Sequence, residues 1–269
     1  MLTTQIKALN GVIDFLGVRK TYHLNGAEVP IELCFDWDVN QDKRVTKALV
    51  DEWVHLLEVV SNFLPKQNTN HLSIGGGGDS RLGGKLSKET QNWIILNPNE
   101  YELQNVRNPK KIDTILIRAI GEDVPIKSES IDCIDILGTI DHVIDPDKVF
   151  REASRVLKSE ASLIVSVTNS TSWYKQLFRL LHISVPNQHA HAHSFNPTHL
   201  SELLVKNGLH VKQMKTTYFL RLPLFIEKRI KNARIRSARN FLSNSVLPYI
   251  LGKSRGGIII CLAVKTKAR

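Results

Sequence analysis

The sequence predicts an α/β chain built on a Rossmann-like, doubly wound parallel sheet, and three observations carry that expectation. From His71 onward short apolar runs alternate with longer mixed segments, a tetraglycine run Gly75 to Gly78 directly follows the first of those apolar runs, and no internal repeat interrupts the alternation. Strands and helices in alternation require parallel pairing with helices on both faces of the sheet. Glycines placed directly after a strand supply φ > 0 or a close approach of backbone to ligand, and the end of a strand is where such a fold binds ligands. On the glycines alone, a turn with no ligand is an equal reading.

Residues 1–66 read as an N-terminal helical and hairpin cap. A short amphipathic helix is expected near Thr4 to Leu16, followed by a hairpin in which Asn25-Gly26 joins Thr21–Leu24 to the run beginning at Glu28, since Asn-Gly favours the two-residue hairpin turn. A helix is expected from Asp42 to Phe63, where Val45, Leu49, Trp53, Leu56, Leu57, Val60 and Phe63 recur at helical spacing until Pro65 ends them. Trp53 is read as core. In residues 67–269 the expected strands are His71–Ile74, Trp93–Leu96, Ile112–Arg118, Ile131–Leu137 and Ser162–Val167. Helices are expected at Asn99–Val106, Pro146–Leu157, after Ser172 and after Pro197. Leu209–Phe219 and Gly257–Lys265 would close the sheet as an antiparallel edge pair, making seven strands, with a basic insertion at 221–255 between them.

Composition narrows the function classes. A chain of 269 residues buries a substantial core without disulfides or structural metal. Cys34, Cys133 and Cys261 are odd in number and widely spaced, and the last two lie in apolar runs. They read as buried thiols in a reducing, cytoplasmic protein. Met1 is followed by no basic start and long apolar core of a signal peptide, and no apolar run approaches the roughly 20 residues of a membrane span. The formal charge of +10 is concentrated: Arg221 to Arg255 holds nine Lys and Arg against Glu227 alone. That segment also carries Leu222, Leu224, Phe225, Ile226, Ile230, Ile235, Phe241, Leu242, Val246, Leu247, Tyr249 and Ile250, which suits an amphipathic helix lying on an anionic membrane. A solvated helix face is the plainer reading. Nucleic acid fits less well, because the segment has few aromatics for base stacking.

Three motifs carry chemistry. The first is His71-Leu-Ser-Ile-Gly-Gly-Gly-Gly-Asp79. The second is the long run Gly121-Glu-Asp-Val-Pro-Ile-Lys-Ser-Glu-Ser-Ile-Asp132 to Asp141-His142-Val-Ile-Asp-Pro146, continued by Val149-Phe-Arg-Glu-Ala-Ser-Arg-Val-Leu-Lys158. The third is His193-Ser-Phe-Asn-Pro-Thr-His-Leu-Ser-Glu-Leu-Leu. Over roughly residues 70 to 215 this order resembles the class I S-adenosylmethionine-dependent methyltransferases, in particular their small-molecule branch acting on quinones and glycans. The resemblance implies S-adenosylmethionine as cofactor. Gly75, Gly76 and Gly77 would pass close to its methionine moiety. Asn97, or Asn99, stands where the family holds the ribose hydroxyls with an acid, and Asp79 or Glu100 is a replacement carboxylate from a shifted position. Glu122 and Asp123 would meet adenine, while Gly138, Thr139 and His142 would line the methyl-transfer cavity.

Methyl transfer from a sulfonium asks chiefly for in-line geometry. For a poor hydroxyl or amine acceptor an imidazole can take the proton, and His142 is the candidate base, with packing at a helix start as its plainer role. His193 is a second candidate for touching substrate.

The match also departs from the family pattern. Ser73 replaces an acid common in the first strand, Asp79 the third glycine of the loop, Asn97 the ribose carboxylate, and Ile120 an acid that often contacts the adenine amine. Two functions of different class therefore stand side by side. One is a methyltransferase acting on a small-molecule, glycan or lipid-linked acceptor at oxygen. The other is a catalytically degenerate binding or scaffold protein of the same fold. A nicotinamide-binding reading fares worse, because Ser80 occupies the place of the third glycine and no acid ends the second strand. His189, His191 and His193 alternate along an extended stretch, but no acidic or sulfur ligand lies beside them at metal spacing, so no metal is expected.

Overall fold

In a computed structural model of the chain, the described residues are four short N-terminal strands and 55–267, less 68, 78–81, 83–84, 87–88, 107–110, 183–191 and 221–231. The central strand is β5 (Asn70–Ile74), flanked by β6 (Asn92–Leu96) and β8 (Ile131–Leu137), both parallel to it. Outside β6 lies β7 (Asp113–Arg118), and outside β8 lies β9 (Leu157–Thr168), again parallel. The far edge is antiparallel: β11 (Ile258–Lys265) pairs with β9, and β10 (Leu209–Thr217) pairs with β11. These are the seven expected strands, in the doubly wound order.

Two more strands join them. β1 (Lys7–Leu9) and β2 (Val12–Asp14) form an antiparallel hairpin, and β2 pairs parallel with β7, giving a nine-stranded sheet in the order β1-β2-β7-β6-β5-β8-β9-β11-β10. The expected helix over Thr4 to Leu16 is therefore corrected to a hairpin. Its register, Leu9 opposite Val12, leaves only Asn10-Gly11 between the strands, the same dipeptide that marks the second hairpin. The first segment of the chain thus extends the sheet edge, where Arg118 Nη1 meets Asp14 Oδ2 at 3.1 Å. The second hairpin is found as expected, β3 (Thr21–Leu24) against β4 (Ala27–Pro30) with Leu24 opposite Ala27.

Side-chain alternation sends successive residues to opposite faces of the sheet. Leu72 and Ile74 of β5, with Ile134 and Ile136 of β8, join the core under α3 (Pro146–Val156) and α5 (Pro197–Lys206), which contribute Val149, Phe150, Leu200 and Leu204. On the other face Trp93, Ile95 and Cys133 pack with Leu56, Leu57 and Val60 of α1 (55–61) and Leu103 of α2 (Glu100–Gln104). The described part of α1 falls within the expected helix; Trp53 lies outside the described residues. Cys133 and Cys261 are buried thiols, and burial pushes Cys261 up to about 12, so neither is a ready nucleophile. Cys34 lies outside the described residues.

The helix starts follow local chemistry. Asp145 caps α3 by accepting from Lys148 N, with Pro146 in the first turn, and Asn196 caps α5 by accepting from His199 N ahead of Pro197. Asn99 caps α2 through Tyr101 N and Glu102 N. Beyond β10 a helix over Ala233–Phe241 passes through a π turn, Leu242–Val246, into a last turn, Leu247–Leu251.

Candidate functional site

The chain leaves β5 toward β6 on one side, while β8 lies on the other, so the sheet reverses its winding between β5 and β8. Ligands of open α/β sheets bind in the crevice at the carboxyl ends of the strands, where the order reverses. Gly75 follows β5 and Gly138 follows β8, so both expected glycine positions stand at this switch point. Gly75 has φ 75 and Gly138 φ 64, the left-handed region that L side chains avoid. A Cβ on Gly75 would run into the Thr139 side chain, and one on Gly77 would run into Glu102 of α2. The glycines therefore allow the loop after β5 to lie against both the loop after β8 and the first turn of α2.

Asn97 sits just beyond β6, where the ribose-holding group is expected, and is largely buried. Its Nδ2 donates to Gly76 O at 2.8 Å, and its Oδ1 accepts from Asn99 N at 2.8 Å. An amide offers two N–H groups and two lone pairs, so half of its capacity is engaged by the backbone. A carboxylate at 97 would face the Gly76 carbonyl with no proton between them, which gives a physical reason for asparagine here. Asn99 is the helix cap of α2. Among the described residues, Glu102 of α2 lies against Gly77, an acid that sequence reasoning missed. Its position in the first turn of α2 is legible, but its closeness to Gly77 depends on how α2 packs.

Glu122 is buried, and its Oε1 accepts from Ile144 N at 2.9 Å and Asp145 N at 3.3 Å. It braces the loop after β7 to the loop after β8, across the crevice. Burial pushes its carboxyl above the usual range, against the opposing pull of those N–H groups. Asp123, next to it, is exposed at the crevice rim. Thr139 is half-buried, and its main-chain oxygen accepts from His142 N at 2.9 Å. His142 is half-buried with Nε2 3.9 Å from Asp141 Oδ1, and Asp141 Oδ2 accepts from Thr168 Oγ1 at 2.5 Å. His193 is held on the same rim: its N–H donates to Asp141 O at 3.2 Å, and its Nε2 lies 2.9 Å from Val143 O. The two candidate histidines are thus brought to one loop cluster. Asp79, His189 and His191 lie outside the described residues. Glu100 opens α2.

The remaining acids and cations of the long motif are tied to the scaffold. Arg155 forms a fork with Glu152, 2.8 Å from Nε to Oε1 and 2.7 Å from Nη2 to Oε2, and also donates to Val124 O at 2.7 Å and Ile126 O at 2.9 Å. Glu152 also accepts from Val124 N at 3.0 Å. Burial pushes the Glu152 carboxyl up, but the Arg155 fork and the Val124 N–H together hold it below its usual value. Lys158 Nζ reaches Asp132 Oδ1 at 2.6 Å, and Asn70 N donates to Asp132 Oδ2 at 2.9 Å, binding β9, β8 and β5 at their amino ends. Beneath the glycine loop, Ser73 Oγ donates to Asp135 Oδ1 at 2.5 Å and accepts from Trp93 Nε1 at 2.9 Å, while His71 Nε2 meets the same carboxylate oxygen at 2.7 Å.

The residues around the crevice fit S-adenosylmethionine in kind: a glycine-only backbone at the switch point, Glu102 and the half-engaged Asn97 beside it, and Asp123 on the facing rim. Comparisons with known proteins agree with this geometry. A family model described as a methyltransferase domain matches residues 45–214. A rice protein, 2-methyl-6-phytyl-1,4-hydroquinone methyltransferase 1, chloroplastic, is 23% identical over 138 residues, covering 50% of this chain and 42% of its own length. The match thus spans less than half of that relative. Among solved structures, a SAM-dependent methyltransferase from Thermotoga maritima superposes with a TM-score of 0.61 at 21% identity, covering 88% of this chain and all of its own. The [4+2]-cyclase SpnF superposes with a TM-score of 0.56 at 14% identity, covering 80% of this chain and 81% of its own. With the family model spanning well over half of the chain and the fold built around the expected crevice, the protein belongs to the methyltransferase-domain family of S-adenosylmethionine-dependent enzymes.

Proposed function

We propose that the protein transfers a methyl group from S-adenosylmethionine to a hydroxyl of a lipid-linked, quinone-like acceptor at the surface of an anionic membrane. The observation that carries this reading is the shared rim: the glycine loop, Glu102 and the His142–His193 cluster open at the same end of the sheet as the basic, apolar segment after β10. The rice relative's name places its acceptor among phytyl-substituted hydroquinones, which supports an acceptor with a lipid tail.

In this reading the backbone of Gly75 to Gly77 holds the methionine end of the cofactor. Glu102, assisted by the remaining amide capacity of Asn97, accepts the ribose hydroxyls. Asp123 faces the adenine. The bound cofactor supplies an activated methyl on a sulfonium, so the chain's part is to align the acceptor oxygen and keep water out. His142 takes the acceptor's proton where the hydroxyl is too weak an acid to lose it unaided, and His193 positions the acceptor from the same rim.

Calorimetric titration with S-adenosylmethionine and S-adenosylhomocysteine tests the reading. Micromolar binding of both is expected. A second reading, a binding or scaffold protein that has lost the cofactor, is favoured by Asn97, whose amide is half spent on the glycine loop, and by the fold's use in a [4+2]-cyclase. Absence of heat at millimolar ligand decides for that second reading. The ribose role has its own measurement. Wild type should prefer 5′-methylthioadenosine over its 2′-deoxy analogue by about ten-fold, the scale of one charge-assisted hydrogen bond, and Glu102→Gln should erase the preference. If the variant weakens both nucleosides equally, Glu102 is a strut of the loop instead.

A further inference from the structure

We propose that the outward face of residues 233–251 is a docking surface that seats in an anionic bilayer and turns the crevice rim toward it. The inference deepens, and rests on, the reading of a lipid-linked acceptor, and it starts from an inversion of the usual pattern. A helix on a protein surface buries its apolar stripe and shows its polar face to water. Here, although Arg234, Ser237 and Ser245 remain exposed, two polar side chains face inward, Arg239 at 6% exposed and Ser243 at 1%. They have structural work there. Ser243 Oγ accepts from Leu220 N at 2.9 Å and Asn244 Oδ1 from Tyr218 N at 3.1 Å, fastening the segment to the chain leaving β10.

Five large apolar side chains face outward, while Val246, Leu247 and Leu251 are half-buried. Tyr249 is 83% exposed, Ile250 70%, Phe241 64%, Ile235 54% and Leu242 46%. Ile235 and Leu242, seven residues or two α-helical turns apart, share one side of the helix, and beyond the π turn Tyr249 and Ile250 continue the exposed apolar surface as a stripe along the segment. A stripe of this kind in water is costly unless something covers it.

Charge identifies what covers it. From Lys228 to the end of the chain there are eleven Lys and Arg and no Asp or Glu. Arg234, beside Ile235, and Lys253 and Arg255, just after the last turn, are exposed. Cations bordering an apolar face match an interfacial helix on anionic lipid, with side chains buried to the acyl boundary and the cations among headgroups. A second copy of this chain is a poor occupant, because pairing through this face would bring two acid-free cationic segments together. Among the described residues no helix is long and apolar enough to cross the membrane.

Position completes the argument. Thr217 pairs with Ile258 and Ile258 with Thr168, so the segment springs from the carboxyl end of β9, the end on which the crevice opens. The amino end of α4 (Trp173–Leu180) is tied to the same place, where Trp173 N donates to Arg255 O at 3.1 Å, and α4 ends in the exposed pair Leu180 and Leu181. A bilayer on this face would deliver a membrane-dissolved acceptor to the rim without its tail crossing water.

The test uses the full chain with phosphatidylcholine vesicles, with and without phosphatidylglycerol, at low and high salt. Wild type should sediment with the anionic vesicles. Tyr249→Ser with Ile250→Ser should weaken partition by about ten-fold or more, since both side chains leave the acyl boundary. Lys253→Glu with Arg255→Glu should weaken it at low salt, with the difference shrinking at high salt. Titration of each variant with S-adenosylhomocysteine should match wild type and so show that the fold is intact. Wild type that ignores anionic vesicles, or a Tyr249/Ile250 double variant that still binds them, overturns the proposal. So does concentration-dependent dimerisation abolished by that same double variant, which would assign the face to a second copy. Vesicle binding without any cofactor binding would leave the docking surface standing and remove the methyl-transfer reading, so the two failures are distinguishable.

Discussion

Replacing Ser73 tests how the sheet carries the polar cluster under the glycine loop. Ser73 and Asp135 are register partners on the parallel strands β5 and β8, on the same face, and both are buried. Ser73→Ala removes a hydrogen bond to the carboxylate, about 1.5–3 kcal/mol, and strands the buried Trp93 indole N–H, about 1–3 kcal/mol more. With part of each loss recovered by relaxation, we expect destabilisation of about 2–5 kcal/mol, or a fall of roughly 10 °C in Tm for a chain of this size. Urea unfolding followed by tryptophan fluorescence measures it, with an unchanged m-value showing that only stability moved. Ser73→Asp should be worse than Ala, because it sets a second carboxylate against the first in a dry interior. The exchange Ser73→Asp with Asp135→Ser should recover most of that loss, with a coupling of about 2 kcal/mol or more. If Ser73→Asp alone is as stable as wild type, the idea that the first-strand acid has been displaced onto β8 is wrong.

Arg155→Lys keeps the charge and loses the fork to Glu152 and the bonds to the Val124 and Ile126 carbonyls, so thermal unfolding should show a loss of about 1.5–3 kcal/mol. Glu122→Gln bears on pH. Burial raises the native carboxyl above its ordinary 4.5, so the native state binds the proton more tightly than the unfolded chain. The corresponding stability is fully present below that ordinary value and is lost as pH rises through the raised native one. The glutamine variant, which keeps an oxygen for the Ile144 and Asp145 N–H groups, should lack that loss and melt at or above wild type at pH 7; a lower melting temperature there would contradict the sign. Asn97→Asp should lower stability by about 1–3 kcal/mol by facing a carboxylate to the Gly76 carbonyl, and a differential scanning measurement without ligand checks it.

The order of strands was legible because parallel strands buried on both faces are written as short apolar runs, and seven such runs alternate with helix signals in the expected places. The error at the amino end was also legible in principle. Asn10-Gly11 carries the same turn chemistry as Asn25-Gly26, and Val12-Ile13 is β-branched, but Ile6, Leu9, Ile13 and Leu16 also recur at helical spacing, and pairing with β7 decided between the two. What the residues in line could not express was register. Ser73 looks like a lost acid until β5 is laid beside β8, where Asp135 stands against it. Asn97 looks like a weakened ribose ligand until its amide is seen holding Gly76 O.

The same consideration changes what the long motif from Gly121 to Lys158 means. Arg155, Glu152, Asp132 and Lys158 hold backbone and one another, and Glu122 reaches across to the N–H groups of Ile144 and Asp145. Glu122 fixes the loops after β7 and β8 relative to each other across the crevice, Arg155 and Glu152 hold the first of those loops to α3, and Asp132 with Lys158 ties the strands at their amino ends. A motif that sets the spacing of two loops needs particular side chains at particular separations, whereas a methyl donor that arrives already activated needs chiefly a crevice of the right width. The most recognisable stretch of the chain is therefore its frame. In the proposed reading, groups that select the acceptor are to be sought outside this frame, in His193 and the outward face of 233–251.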